Sequence, residues 1–172
     1  MTRARIGEGG EWNLSGERYI AASFEHAHFP VRSIGDVCEI NPKESELSGY
    51  PADTIVSFVP MKDLAENNIG FQPQEQRPLG DVLNGAYTYF RDGDVLIAKV
   101  TPCFENGKAG VARNLRNSIG FGSNEYYVLR PSEGILPELL YYFVSAPRFK
   151  EYATPAMTGT GGLQRVPRST LE

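Results

Sequence analysis

The chain has 172 residues, 41% of them apolar and 22% charged, and a formal net charge of −4; this suits one globular domain with an ordinary core. No apolar run approaches the length of a membrane-spanning helix, and no apolar N-terminal stretch points to a secretory leader. The acidic balance argues against a uniformly basic nucleic-acid binder, and the two distant cysteines, Cys38 and Cys103, match no metal spacing and suit a reducing, cytoplasmic setting.

Residues 1–11 lack periodicity, and 12–29 are polar with scattered aromatics that allow a short helix after Ser15 or Ser23. His26 and His28, the only histidines, offer at most part of a metal site. In "VRSIGDVCEINP" (31–42), Ile34, Val37 and Cys38 share one helical face, and Pro42 ends the helix by pushing Asn41 out of the helical region. "TIVSFVPM" (54–61) is a predicted strand by its β-branched and aromatic content, followed by one helical turn. Residues 66–86, rich in Asn, Gln, Gly and Pro, are a predicted surface loop. "AYTYF" (86–90) begins the next strand, and Asp92-Gly93 marks a turn. "DVLIAKV" (94–100) is nearly continuous in apolar residues and reads as a strand buried on both faces. "KAGVAR" and "NEYYVLRP" supply two more strands. "LPELLYYFVSAPRFKEYA" (136–153) is the strongest helix, with Pro137 at its first position and a stripe of Leu136, Leu140 and Phe143 that Pro147 interrupts. The tail 154–172 reads as a flexible Gly/Thr segment, then an extended piece. The order of elements predicts an α+β fold with mixed, mainly antiparallel pairing, because strands do not alternate regularly with helices.

Charge is unevenly spread. Residues 1–90 carry 7 basic and 13 acidic side chains, residues 91–172 carry 10 and 8, and Glu151 is the one acid between Arg148 and Arg168. Phosphate binding needs a local basic surface, not a basic protein. Templates for catalysis each lack a necessary group. Cys103 has no base beside it in the sequence and suits a small, partly buried apolar role. "TGTGG" (158–162) lacks the GK[ST] ending of a phosphate-binding loop and follows a helix rather than a strand.

The segment "VLIAKVTPCFENGKAG" (95–110) remains. Asn106-Gly107 is a strong two-residue turn signal, and Pro102 cannot donate to a ladder. A hairpin with a projecting loop at 101–107 is expected, presenting Thr101, an exposed Phe104, Glu105 and Asn106, with Lys99 and Lys108 at its base.

The order "GDVLIAKVTPCFENGKAGVA", "GFGSNEYYVLRP" and "LLYYFVSAPRFKEYATPAMTGTGGLQRVPRSTLE", preceded by "VRSIGDVCEINPK", resembles the target-recognition domain of type I restriction-modification specificity subunits. The resemblance covers residues 30–172. "WNLSGERY" (12–19) is similar to the C-terminal end of the partner DNA-adenine methyltransferase, so residues 1–29 read as an extension of that kind. The family usually carries two recognition domains separated by long helices, and the chain corresponds to one of them.

The resemblance implies a non-catalytic domain, with no metal or cofactor, that lies with long loops against double-stranded DNA and reads half of a split site. Its implied partners are the DNA-adenine methyltransferase and a restriction subunit. Base edges are told apart by hydrogen-bonding pattern, so Glu105, Asn106, Lys99 and Lys108 are candidate readers, with Thr101 and Phe104 on the same loop. Phosphates are held by backbone N–H groups and basic side chains, which suits Thr158, Gly159, Gly161, Gln164, Arg165 and Arg168. Ser123, Asn124 and Lys62 complete the candidate set. Two other readings stand beside this one: a protein-docking module that leaves DNA untouched, favoured by the acidic 36–66, and an enzyme with a site near Cys103.

Overall fold

The computed structural model describes residues 31–160 and 162–172. Residues 1–29, expected as an extension, both histidines and Gly161 lie outside the described residues. The chain opens with α1 (Ile34–Val37), closed by a capping box in which the Ser33 Oγ accepts from the Asp36 N–H (3.2 Å) and the Asp36 carboxylate accepts from the Ser33 N–H (3.0 Å). The helix ends at Val37, well before Pro42, where the expectation ended it. Cys38 is extended and begins β1 (Cys38–Ile40), and burial pushes its thiol up to about 11. β2 (Ile55–Val59) follows. The region 66–86 is not wholly loop, since it holds β3 (Glu75–Pro78) and α2 (Leu79–Leu83). β4 (Thr88–Arg91), β5 (Val95–Ala98), β6 (Ala109–Val111), β7 (Ile119–Gly122) and β8 (Tyr126–Pro131) come next. α3 (Pro137–Ser145) and α4 (Pro147–Ala153) replace the single interrupted helix, each with proline at its start. The tail is a small hairpin of β9 (Thr158–Thr160) and β10 (Leu163–Arg165) rather than a loose link.

The strands form two four-stranded sheets and this hairpin. The first sheet, β1-β8-β5-β6, is antiparallel throughout. The second, β3-β2-β7-β4, pairs β2 with β7 in parallel and its other neighbours antiparallel. The fold is α+β with mixed, mainly antiparallel pairing, divided between separate sheets.

Alternation along β5 and β8 explains why they are apolar on both faces. Val95, Ile97, Tyr127 and Leu129 face a cluster with Leu140, Tyr141 and Val144 of α3 and Phe149 of α4. Leu96, Tyr126 and Val128 face the other way, against Val59 and Phe90 of the second sheet. A third cluster, with Val56, Phe58, Tyr89 and Phe121, packs under Leu79 and Val82 of α2. The buried face of α3 is Leu140, Tyr141 and Val144; of the expected stripe Leu140 is buried, whereas Leu136 and Phe143 are exposed. At one edge the Gly35 N–H donates to the Leu171 carbonyl (3.2 Å), so the two ends of the described chain lie together.

A pair of charged groups is carried into this interior. Arg130 on β8 is 9% exposed and Asp94 only 1%. The Arg130 Nε donates to Asp94 Oδ1 (2.9 Å) and Nη2 to Oδ2 (2.8 Å), while Nη1 donates to Glu46. Asp94 also accepts from the Arg91 N–H (2.9 Å), so one carboxylate closes the β4–β5 turn and fixes β8. Burial opposes the Arg130 charge, but the bonds to Asp94 and Glu46 outweigh it and raise its pKa. Removing one partner of such a pair strands a buried charge. Asp94→Ala should therefore lower unfolding stability by about 3–5 kcal/mol, measured by urea denaturation; a loss near zero would show that the pair holds nothing.

Candidate nucleic-acid interface

Strand direction gathers the loops. Val59 of β2, Gly122 of β7 and Thr88 of β4 are in register at one end of the second sheet. Ala98 of β5 is in register with Tyr126 of β8, and Ile97 with Ala109 of β6. Residues 123–125 join β7 directly to β8, so these ends of the two sheets are adjacent. The segments 60–74, 84–87, 99–108 and 123–125 consequently emerge at the same end of the molecule.

The loop 99–108 is not a two-residue hairpin turn. The N–H groups of Phe104 and Asn106 donate to the carbonyls of Val100 (3.0 Å) and Pro102 (2.9 Å), as in a helical turn. The Gly107 N–H then donates to Phe104 O (2.9 Å) and the Lys108 N–H to Cys103 O (3.0 Å), the bond pair that ends a helix when a left-handed residue follows it. Gly107 is that residue, with φ +75°. A Cβ there would lie 2.4 Å from Asn67 Oδ1 and 2.6 Å from Lys150 Nζ, side-chain ends that can give way, so it is the left-handed conformation that demands glycine. Asn106-Gly107 is thus a helix-ending signal rather than a hairpin one.

Phe104 is not exposed as expected. It is 3% exposed and joins the helix-side core, edge-on to Phe149 with ring centroids 6.3 Å apart. The loop is anchored at its middle, not held out freely. Lys108 is also turned inward, its Nζ donating to the carbonyls of Met61 (3.0 Å) and Leu64 (3.1 Å). Asn106 donates to Glu66 (3.1 Å), and Asn67 bonds both the Asn106 and the Gly107 carbonyls (3.3 and 2.9 Å). Glu105 remains exposed at the tip.

The glycine-bearing tail meets this loop. The Thr101 N–H donates to Gln164 O (2.9 Å) and the Val166 N–H to Lys99 O (2.8 Å). The Thr101 hydroxyl donates to Gly162 O (2.9 Å) and accepts from the Gln164 N–H (2.9 Å). β9 pairs Gly159 with Gln164, and a Cβ on Gly159 would lie 2.2 Å from Leu163 O. Thr158, Gly159 and Gln164 are all exposed. The structure therefore joins Lys99, Thr101, Gln164 and Arg165 in one contact set. Arg168 is paired with Glu172 (2.7 Å).

The turn 123–125 completes the rim. The Ser123 Oγ accepts from the Glu125 N–H (3.2 Å), and Glu125 O accepts from the Lys99 N–H (2.9 Å). Asn124 is exposed, and with Ser123 it lines an open cleft of about 460 Å³ together with Phe58, Pro60, Met61, Ala86 and Tyr87. Lys62 projects from the 3-10 turn Met61–Asp63 beside it. The Glu125 carboxylate grips Arg165, with Nε 2.9 Å from Oε2 and Nη2 2.6 Å from Oε1. That grip holds the Glu125 carboxyl below its usual range. The rim is therefore mixed in charge rather than uniformly basic. Glu125, Glu66 and Asn67 escape the sequence reading; a Glu two residues after Ser123 was the available signal for the first.

Among the described residues no helix is long and apolar enough to cross a membrane. Phe104→Ala should cost about 3–5 kcal/mol and loosen the whole loop. Amide hydrogen exchange at Gly107 and Lys108 checks this, and unchanged protection would mean that the loop is held by its backbone bonds alone.

No family model matches the chain. It is 36% identical over 141 residues to the Type I restriction enzyme EcoEI specificity subunit of Escherichia coli, covering 81% of this chain and 23% of that one. It is 40% identical over 138 residues to the EcoAI specificity subunit from the same organism, covering 79% and 23%. The chain spans about a quarter of the length of these relatives. Among solved structures, a chain from a type I R-M system studied for complex assembly and conformational transition aligns with a TM-score of 0.49 and 17% identity, covering 90% of this chain and 36% of that one. The HsdS subunit from Thermoanaerobacter tengcongensis aligns with a TM-score of 0.45 and 20% identity, covering 83% and 35%. Over the matched part, this chain belongs to the type I restriction enzyme specificity subunits.

Proposed function

We propose that the chain is a duplex-DNA target-recognition domain that reads one half of a bipartite site and carries no catalytic residue or cofactor of its own. The supporting observation is the convergence of four loop segments and the β9–β10 hairpin at one end of two stacked sheets. Exposed hydrogen-bonding groups from separate segments lie there together: Lys62, Glu105, Asn124, Thr158 and Gln164. Groups of these types distinguish base edges and hold phosphates, and the sheets beneath them provide a rigid base. The membership in a family of specificity subunits supports the same reading.

The loop residues divide by role. Lys108, Phe104 and Thr101 hold the rim in shape through Met61, Phe149 and the tail. Lys62, Glu105, Asn124 and Gln164 have side chains without a hydrogen-bond partner among the described residues and are the proposed contacts, with Ser123 and Asn106 beside them. The cysteines take no part in this reading.

In the assembly, we assign partner contact to a different face. Leu139 and Tyr142 on α3 are 61% and 64% exposed, and Leu136, Phe143 and Tyr152 are exposed with them. An apolar patch of this kind marks an interaction site; the partners that the family implies are a DNA-adenine methyltransferase and a restriction subunit. A docking role and a DNA-reading role then occupy separate surfaces of one domain.

Lys62→Ala should weaken duplex binding of the chain nearly equally for every sequence and reduce the slope of log affinity against log salt by about 0.9, the share of one phosphate contact. Titration of labelled duplex at several salt concentrations checks it. An unchanged slope would remove Lys62 from the interface, and the lack of any salt-dependent duplex binding by the parent chain would reject the reading as a whole.

A further inference from the structure

Arg165 is held in an orientation that favours one kind of ligand. Its Nε and Nη2 both face Glu125, with the Nε 2.9 Å from Oε2 and the Nη2 2.6 Å from Oε1. These bonds use one edge of the guanidinium. The other end, with Nη1 and the outer hydrogen of Nη2, has no hydrogen-bond partner among the described residues, and the side chain is 44% exposed. An end-on fork of two parallel donors matches the O6 and N7 acceptors of guanine in the major groove. A free arginine would sample many rotamers, whereas a carboxylate grip on one edge removes most of that freedom before binding.

The surroundings of the pair point the same way. Lys99 lies beside it, half-buried, with its Nζ 5.3 Å from the Tyr127 ring centroid. Burial lowers the pKa of this ammonium, Glu125 raises it, and Arg165 lowers it again. Lys99 and Arg165 thus lie on either side of the Glu125 segment, Arg165 paired with its carboxylate and Lys99 bonded to its carbonyl, at the end of the fold where the loops converge. Three backbone bonds keep the group in place: Lys99 N–H to Glu125 O (2.9 Å), Val166 N–H to Lys99 O (2.8 Å) and Thr101 N–H to Gln164 O (2.9 Å). These main-chain bonds tie the tail to residues 99–101 and Lys99 in turn to Glu125, so the tail is already held to the 123–125 turn through Lys99 without the Arg165–Glu125 pair.

We propose that Arg165, held edge-on by Glu125, reads a guanine of the target, with Glu125 as the positioning residue and Lys99 as the neighbouring charge that draws the electronegative base edge or its phosphate. This inference rests on the DNA-recognition reading above and names the chemistry that one part of the surface selects.

The test is selection of a random duplex library by the full 172-residue chain and by Glu125→Gln and Arg165→Lys variants, with salt titrations and thermal unfolding of each and a salt titration of Arg165→Ala. The wild-type chain is expected to enrich duplexes with guanine at one position. Arg165→Lys keeps the charge but not the fork, so it should lose that preference by about 10-fold while the other positions and the salt slope stay as they were. Glu125→Gln should weaken the preference at the same position, yet tighten binding to all duplexes because a negative charge is lost. If both variants keep the wild-type preference, the inference falls. If Arg165→Ala lowers the salt slope while Arg165→Lys leaves every preference intact, Arg165 holds a phosphate and the guanine assignment is overturned. A fall in unfolding midpoint for Glu125→Gln with preference retained would make the pair a clasp and overturn it as well. A wild-type chain that enriches no duplex rejects the DNA reading itself, and the inference with it.

Discussion

The antiparallel pair β5–β8 is packed on both faces, with Leu96 and Val128 against one sheet and Val95, Ile97 and Leu129 against the helices. Everything else is placed by that double burial. Two sheets can stack only if they share a layer of side chains, and Leu96, Tyr126, Val128, Val59 and Phe90 are that layer. Once the sheets are stacked, the three-residue step from β7 to β8 fixes which of their ends coincide. The loop cluster is thus a product of core packing, and its geometry does not depend on the loops finding one another.

The buried Arg130–Asp94 pair serves the same arrangement from the other side. It is an expensive interaction to bury, and hydrophobic replacement of such pairs is often tolerated. Here the carboxylate simultaneously accepts from the Arg91 N–H and from two nitrogens of Arg130, so it connects β4 of one sheet to β8 of the other. A hydrophobic pair could fill the volume but could not specify that connection.

Much of this was legible in the residues. "DVLIAKV" announces a strand buried on both faces, and the structure places it there. The strands at 54–61, 108–113 and 124–131, and a helix beginning at Pro137, are likewise present with shorter bounds. β7 was not legible, because "IGFG" carries two glycines that lower strand propensity. Packing requires them: a Cβ on Gly122 would lie 2.3 Å from Val59 O, and one on Gly120 would lie 2.2 Å from the Phe90 ring. Asn106-Gly107 misled for a related reason. The same dipeptide can close a hairpin or end a helical turn, and only the preceding backbone bonds decide between them. Phe104 looked like an exposed probe because local sequence carries no trace of Phe149, the distant ring that covers it. Glu125 was visible only as one member of a strand, since its partner Arg165 arrives from the tail. Long-range pairing of this kind leaves no local pattern.

The hydrogen bond between Gly35 and Leu171 brings the two ends of the described residues to a common seam. A folded unit whose ends lie close together tolerates insertion and permutation, because its interior does not depend on where the chain enters. Variation at the loop-bearing end can accumulate without a mechanical signal reaching that seam, provided that the stacked layer between them is kept. For such a molecule, transplantation into a different host chain is a problem of matching two adjacent attachment points rather than of redesigning an interior.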